Sequence, residues 1–138
     1  MGIILADIEL ANARLDDLLP MTVSALVDSG AVHLCIPQHV ANQLQLPVLD
    51  RREVTVANGQ SEMVDYVGPI RVGFANRQCL VGALVLGNQA LLGAIPMEDM
   101  DLVISPSRQS VIVNPQNPNI AMSLAMGVRH PGRTADNA

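Results

Sequence analysis

The stretch "SALVDSGAVHLCIP", residues 24–37, decides how this chain is interpreted. It begins as an apolar run, Ala25–Val27, turns at Asp28–Gly30, and then becomes apolar again. An ionised carboxylate is costly among buried groups unless other groups hydrogen-bond to it. A carboxylate placed at the end of an apolar strand, as Asp28 is, therefore needs a functional or structural explanation.

The composition predicts one compact, apolar domain. The chain has 138 residues, of which 49% are hydrophobic and 15% are charged, so it can bury a core and global disorder is not expected. The net charge is −5 and the chain contains no lysine, which argues against binding to nucleic acid, because nucleic acid needs a basic surface. So few charges on an apolar chain predict that another copy of the protein covers part of the surface.

The cysteines and the hydrophobic segments predict a cytoplasmic protein that does not contact a membrane. Cys35 and Cys79 form neither a metal-binding spacing nor a CxxC motif, so they are expected to be small core residues. The N-terminus lacks the basic region of a signal peptide. The longest apolar region, Cys79–Ile95, is interrupted by glycines and polar residues, which predicts strand, turn and strand rather than a membrane span.

Hydrophobic periodicity predicts a mainly β fold, a sandwich or a barrel, with seven to nine short strands and one or two short helices. Proline at positions 37 and 96 suits the first turn of a helix. Asp50–Glu53 is predicted to be a charged surface loop. The chain from residue 53 to 74 alternates around Asn58-Gly59, a strong hairpin signal. The other predicted strands lie at residues 2–10, 20–27, 31–35, 78–86, 101–104 and 110–114.

Three features in order along the chain resemble the retropepsin-like aspartic proteases, the single-domain branch that includes the retroviral proteases. They are the apolar-Asp-Ser-Gly-Ala motif at residues 26–31, the Asn58-Gly59 hairpin, and Leu91-Leu92-Gly93 before a short helix. The resemblance covers residues 3–115 and looks closest to small bacterial members. It implies a retropepsin-like closed β-barrel or sandwich and a two-fold homodimer with the active site at the interface. It also implies a peptide or protein substrate, without a metal or cofactor.

The resemblance implies aspartic proteolysis, which needs two carboxylates that share one proton. Like charges about 3 Å apart cannot both ionise, so one carboxyl group stays protonated. The ionised group would activate a water molecule, and the protonated group would polarise the peptide carbonyl. Only one Asp-Ser-Gly triplet occurs in the chain. The second carboxylate must therefore be Asp28 of another copy, placed across a two-fold axis.

The resemblance also implies roles for the residues around Asp28. The Ser29 hydroxyl would hydrogen-bond across the two-fold axis, and Gly30 would place a backbone N–H close to the carboxylate. Leu92 and Gly93 would support the active-site loop from below. The substrate would contact the small Ala31 and the hairpin that acts as a flap, through Val56, Ala57, Asn58 and Gly59.

The resemblance divides the chain into a protease domain, residues 1–115, and a C-terminal extension, residues 116–138. The extension could be a dimer arm or a flexible tail, or it could occupy the partner's cleft. The cleft itself is expected to be apolar, with Ile36, Val56 and Leu84 near it, which predicts apolar residues beside the scissile bond.

Other chemistry receives little support from the sequence. The three histidines, His33, His39 and His130, have no ligand spacing and are predicted to be structural or solvent-facing. The acidic segment 97–101 is predicted to be a solvated face rather than a metal site, and no Gly-x-Ser-x-Gly elbow is present. Two alternatives to the protease remain: a catalytically weak or inactive module that dimerises or binds peptides, and a structural barrel in which Asp28 only caps a turn.

Overall fold

The computed structural model describes residues 2–127, and six of its strands close into a ring. Around the ring the order is β1-β2-β7-β3-β6-β5, and β5 pairs back with β1. β4 lies outside the ring and pairs only with β5, while β8 and β9 form a separate hairpin. The strands are β1 (Leu5–Asn12), β2 (Met21–Val27), β3 (Leu34–Ile36), β4 (Val48–Thr55), β5 (Ser61–Phe74), β6 (Arg77–Val85), β7 (Ala90–Leu92), β8 (Leu102–Ser105) and β9 (Ser110–Val113).

Alternating side chains build the core of this ring. Every second residue of β1, from Ala6 to Asn12, is buried, and the residues between them are exposed or half-buried. This period of two is what a strand with one face on a core requires. Aliphatic side chains fill the interior, including Ile8, Leu10, Leu34 and Ile70, which are at most 1% exposed. The predicted mainly β barrel with a core of aliphatic residues is confirmed.

Two short helices, α1 (Gln38–Gln43) and α2 (Ala94–Asp99), complete the fold. Both were predicted from their prolines; α1 follows Pro37, whereas α2 begins two residues before Pro96. α1 packs Val40 and Ala41 against the core. None of the helices in residues 2–127 is long and apolar enough to cross a membrane.

Two sequence predictions about strand boundaries are wrong. The strand expected at residues 31–35 begins only at Leu34, because the carbonyls of Ala31 and Val32 accept hydrogen bonds from the first N–H groups of α2, at 2.8 Å each. The charged segment Asp50–Glu53 is on the surface but is not a loop. It forms the middle of β4, where the ladder to β5 supplies backbone hydrogen bonds to residues with polar side chains.

The segment after β9 is held against the domain by Asp101. This residue lies between α2 and β8 and has a positive φ of 53°. Its carboxylate accepts hydrogen bonds from the side-chain amides of Asn114 (3.1 Å) and Asn117 (2.8 Å) and from the backbone N–H of Met122 (3.0 Å). The buried Arg77 of β6 donates to the carbonyl of Asn117. The first part of the predicted extension, up to Met122, is therefore docked on the domain, while its end and His130 lie outside the described residues.

Candidate active site

Asp28 follows β2 directly, at the point where β2 leaves the sheet beside β7. β2 and β7 are parallel, and Val27 is in register with Leu92. The backbone N–H of Asp28 donates to the carbonyl of Leu92 (3.1 Å), and the N–H of Val27 donates to the carbonyl of Ile4 (2.9 Å). The backbone of Asp28 is thus fixed by two neighbouring segments, while its side chain is half-buried.

The turn Asp28–Gly30 is held by one hydrogen bond to the Asp28 carboxylate and one to the Asp28 backbone carbonyl. The N–H of Gly30 donates to Oδ1 of Asp28 (2.9 Å), and the N–H of Ala31 donates to the Asp28 carbonyl (3.0 Å). A Cβ on Gly30 would lie only 3.2 Å from the same Oδ1, so this close approach favours glycine. Ser29 is exposed. The turn thus presents a hydrogen-bonded carboxylate at the surface, which accounts for an Asp at the end of an apolar strand.

Gly93 packs directly against residues 28–33, the loop that carries Asp28 and forms the candidate active-site loop. A Cβ on Gly93 would overlap the carbonyl oxygen of His33 and lie 2.7 Å from that of Ala31. Only a glycine lets the start of α2 approach this backbone so closely. The preceding residue, Leu92, is fully buried in the core. The supporting role of Leu92 and Gly93 for the loop stays a prediction.

A cleft of about 620 Å³ opens beside Asp28. It is lined by the loop that carries Asp28, by the end of β4 with the start of its hairpin, and by residues of β3, β6 and β7. Val56, Ala57 and Leu84 line the cleft as expected, but Ile36 does not, because it is fully buried in the core on the other side of β3. The complete lining is Asp28, Gly30, Ala31, Val32, His33, Cys35, Val54, Thr55, Val56, Ala57, Leu84, Leu86 and Leu91.

The predicted hairpin between β4 and β5 is present, and Asn58 and Gly59 form its tip. The N–H of Val56 donates to the carbonyl of Gln60, and the N–H of Gly59 donates to the carbonyl of Val56, both at 2.9 Å. Gly59 has a φ of +85°, which glycine adopts without strain. Neither Asn58 nor Gly59 lines the cleft, whose wall ends at Ala57. The hairpin therefore lines the cleft only at its base, and its polar tip is exposed.

Sequence analysis did not identify His33 and Cys35 as cleft residues. Burial, and to a smaller extent the charge of Arg52, lower the pKa of His33. Burial, together with the carboxylate of Asp28, raises the pKa of the Cys35 thiol. A lone histidine or cysteine within an apolar run has no motif around it, so only the folded chain places these side chains in the cleft. Residues 2–127 contain no group of three or more His, Cys, Asp or Glu side chains arranged to hold a metal ion.

Comparisons with known proteins agree with this architecture. The profile of the family described as "gag-polyprotein putative aspartyl protease" matches residues 20–94, which include the Asp28 turn, the hairpin and Gly93. No curated protein sequence is significantly similar to the chain. The crystal structure of the retroviral protease-like domain of Ddi1 from Leishmania major is similar to this structure with a TM-score of 0.53. It is 15% identical, over 83% of this chain and 91% of that chain.

A second similar structure is the solution structure of the simian foamy virus (mac) protease, with a TM-score of 0.46. It is 15% identical, over 67% of this chain and 91% of that chain. The family match, which spans more than half of the sequence, agrees with the barrel and with the position of Asp28 at the cleft. The chain therefore belongs to the gag-polyprotein aspartyl protease family and has the retropepsin-like fold.

Proposed function

We propose that this protein is an aspartic endopeptidase that acts as a homodimer, with one Asp28 from each subunit. The observation that carries the proposal is the carboxylate of Asp28. It is held by the N–H of Gly30 and opens onto a mainly apolar cleft that can accept a peptide. Family membership supports the same chemistry.

The reaction needs two carboxylates that share one proton, and each chain contributes one. The ionised Asp28 removes a proton from a water molecule, which attacks the peptide carbonyl, and the protonated Asp28 of the other subunit donates a hydrogen bond to the carbonyl oxygen. The pKa values of this reaction belong to the pair of carboxyl groups rather than to either one. When the C–N bond of the resulting tetrahedral intermediate breaks, a carboxyl group of the pair passes a proton to the leaving amine.

The residues around Asp28 position the carboxylates and the substrate in this proposal. Ser29, exposed on the loop, would hydrogen-bond across the two-fold axis, and Gly30 holds the carboxylate. Ala31 leaves room for the peptide. The hairpin closes over the substrate and excludes water, with Val56 and Ala57 on its inner side and Asn58-Gly59 at its tip. Leu92 and Gly93 support the loop.

We further propose that residues 1–115 form the protease domain and that residues 116–138 are a C-terminal extension, either a dimer arm or a flexible tail. The hydrogen bonds from Asn117 and Met122 to the Asp101 carboxylate support an extension whose first residues have a fixed position on the domain. A cytoplasmic location is part of the same proposal, and the two free, buried cysteines, Cys35 and Cys79, are compatible with a reducing compartment.

The test is cleavage of an unbiased peptide library by the purified protein and by Asp28→Asn, with the subunit mass measured in parallel. We expect the unsubstituted protein to be a dimer that cleaves peptides, and Asp28→Asn to be a folded dimer that does not. Asp17→Asn, at an exposed position, is the matched control and should retain activity. Retained cleavage in Asp28→Asn, or cleavage by a monomer, would contradict the mechanism. A clean dimer that cleaves nothing would favour the alternative, a catalytically inactive dimerisation or peptide-binding module.

A further inference from the structure

The imidazole of His33 lines the cleft, where it is held in place but has no hydrogen-bond partner within residues 2–127. His33 contacts the ring of Tyr66 edge to face, with 5.9 Å between ring centroids and 68° between the ring planes. Neither ring nitrogen of His33 hydrogen-bonds to any other group within residues 2–127. Because His33 lines the cleft and its ring nitrogens are not fully buried, they are free to hydrogen-bond to a molecule that occupies the cleft.

Tyr66 is itself clamped, so the orientation of His33 is built into the fold. The ring of Tyr66 packs on the backbone of Gly82, where any Cβ would overlap the phenol ring. The guanidinium of Arg52 lies over the ring, 4.2 Å from its centroid. A glycine from β6 and a cation from β4 therefore hold the aromatic ring, and this ring orients the imidazole. Such a supported arrangement is typical of a recognition site.

The charged groups around His33 favour the binding of an anion. Arg52 faces Tyr66 and is near enough to lower the pKa of His33, while its own ion pair with Asp50 (3.1 Å) is exposed and therefore weak. The other titratable groups that face His33 are Tyr66 itself and, along the cleft, Cys35 and Asp28. A second carboxylate next to an ionised Asp28 would be repelled, so an acidic group is better placed beside His33, which lines the cleft. Tyr66 and Arg52 lie behind His33 and do not line the cleft themselves. The remaining lining is mainly aliphatic.

We propose that His33, positioned by Tyr66 and Arg52, selects substrates that carry a carboxylate side chain, Glu or Asp, among otherwise apolar residues. The inference rests on the proposed function, since it names the substrate class of the same cleft. A bound carboxylate raises the pKa of His33, so binding takes up a proton. The preference for the acidic side chain consequently grows as the pH falls, until the substrate carboxylate itself is protonated.

The experiment measures binding, which separates it from catalysis. An apolar peptide is varied one position at a time to Glu or to Gln, and the affinity of each peptide for Asp28→Asn is measured by fluorescence anisotropy. The fraction of protonated His33 rises as the pH is lowered to about 5, and the bound carboxylate raises the pKa of His33 against the lowering effect of burial and Arg52. At that pH we expect one position at which the Glu peptide binds about tenfold more tightly than the Gln peptide. At about pH 7.5 this advantage should shrink, because the imidazole is then neutral.

Two variants in the same background assign the effect to His33. His33→Gln should abolish the preference for Glu, and His39→Gln, at an exposed position of α1, should retain it. Equal binding of every Glu and Gln pair, or a preference that survives in His33→Gln, would overturn the proposal. If the protein cleaves no peptide but the preference is present, the protease proposal fails and this inference stands.

A second measurement does not depend on how well His33→Gln folds. Nuclear magnetic resonance follows the imidazole protons of the protein with His33 intact, with and without the selected Glu peptide. The pKa of His33 should rise when the Glu peptide binds and should stay nearly constant when the Gln peptide binds. A pKa of His33 that does not rise with the Glu peptide would overturn the proposal.

Discussion

Gly93 shows, at the scale of one residue, how closely the active-site loop and α2 are packed. The carbonyls of Ala31 and His33 occupy the space that a side chain at position 93 would need. The N–H of Ala94 donates to the same Ala31 carbonyl, so the loop and the start of α2 share both a contact and a hydrogen bond. Any movement of this contact moves the loop that carries Asp28.

Gly93→Ala is expected to displace the active-site loop. Overpacking of this kind lowers the free energy of unfolding by about 1–3 kcal/mol. Cleavage should fall by more than the loss of folded protein explains, because displacement of the loop moves the Asp28 carboxylate. Urea denaturation and peptide cleavage measure the two effects. Gly73→Ala in β5 is the control, since a Cβ there meets only ordinary contacts, 3.7 Å from Glu9. Unchanged stability and activity in Gly93→Ala would show that this close contact determines neither the stability of the protein nor the position of the loop.

The hairpin of β4 and β5 is the element that we propose to act as a flap. Its strands pair in register from Asp50 opposite Tyr66 to Thr55 opposite Ser61, and then its tip leaves the barrel. The tip contributes little to the core, because Asn58 and Gly59 are exposed. Its conformation can therefore be altered without unfolding the domain.

Gly59→Val tests the flap. A β-branched residue at a φ of +85° is strained by about 1–2 kcal/mol, although no neighbouring atom lies within 4 Å of the new Cβ. We expect kcat/KM for peptides to fall severalfold while the fold is retained, as measured by steady-state kinetics and circular dichroism. Ala75→Val places the same side chain at a positive φ, 51°, in the turn between β5 and β6. Because this turn does not line the cleft, equal losses of activity in both variants would contradict a flap role.

At the scale of the whole molecule, Asp101 joins the barrel to the segment that follows β9. Hydrogen bonds from Asn114, from the backbone of Met122 and from Asn117 hold the pKa of Asp101 below its ordinary value. Arg77, which is 4% exposed, donates from Nη2 to the carbonyl of Asn117. Its Nε and Nη1 have no hydrogen-bond partner within residues 2–127. The protease domain proposed to end at residue 115 thus depends on residues beyond that boundary.

Removal of the chain after Pro115 should destabilise the protein. The buried Arg77 would lose the Asn117 carbonyl, and an unsatisfied buried donor costs about 1–3 kcal/mol. Truncation after Gly127, which keeps these contacts, is the control, and chemical denaturation is the measurement. Equal stability of the two truncated proteins would show that the docked segment contributes nothing.

Asp101→Asn should destabilise the protein at neutral pH but not in acid. The pKa of Asp101 is lower in the folded protein than in the unfolded chain, so its contribution is present above about pH 4 and is lost as the pH falls through the lower, folded value. The difference in unfolding free energy between Asp101→Asn and the unsubstituted protein should therefore vanish at low pH. A difference that persists there would indicate that the substitution acts through packing.

Local patterns in the sequence determined most of the strands, although not the Asp50–Glu53 part of β4, and they determined where the hairpin turns and that Asp28 lies at the end of an apolar strand. These features depend on neighbours within a few residues, such as the alternation in β1 and the Asn58-Gly59 pair. Only the tertiary structure decided that residues 31–33 leave the strand to bond with α2, and that Ile36 faces the core instead of the cleft.

The cluster of His33, Arg52 and Tyr66, and the attachment of the C-terminal segment through Asp101, also required the folded chain. Each joins side chains from segments that are distant in sequence, and barrel closure brings them together. No local pattern encodes such a contact, because it depends on the register of strands that pair over long separations. The sequence by itself thus determined most of the elements and the catalytic motif, and the tertiary structure determined what surrounds them.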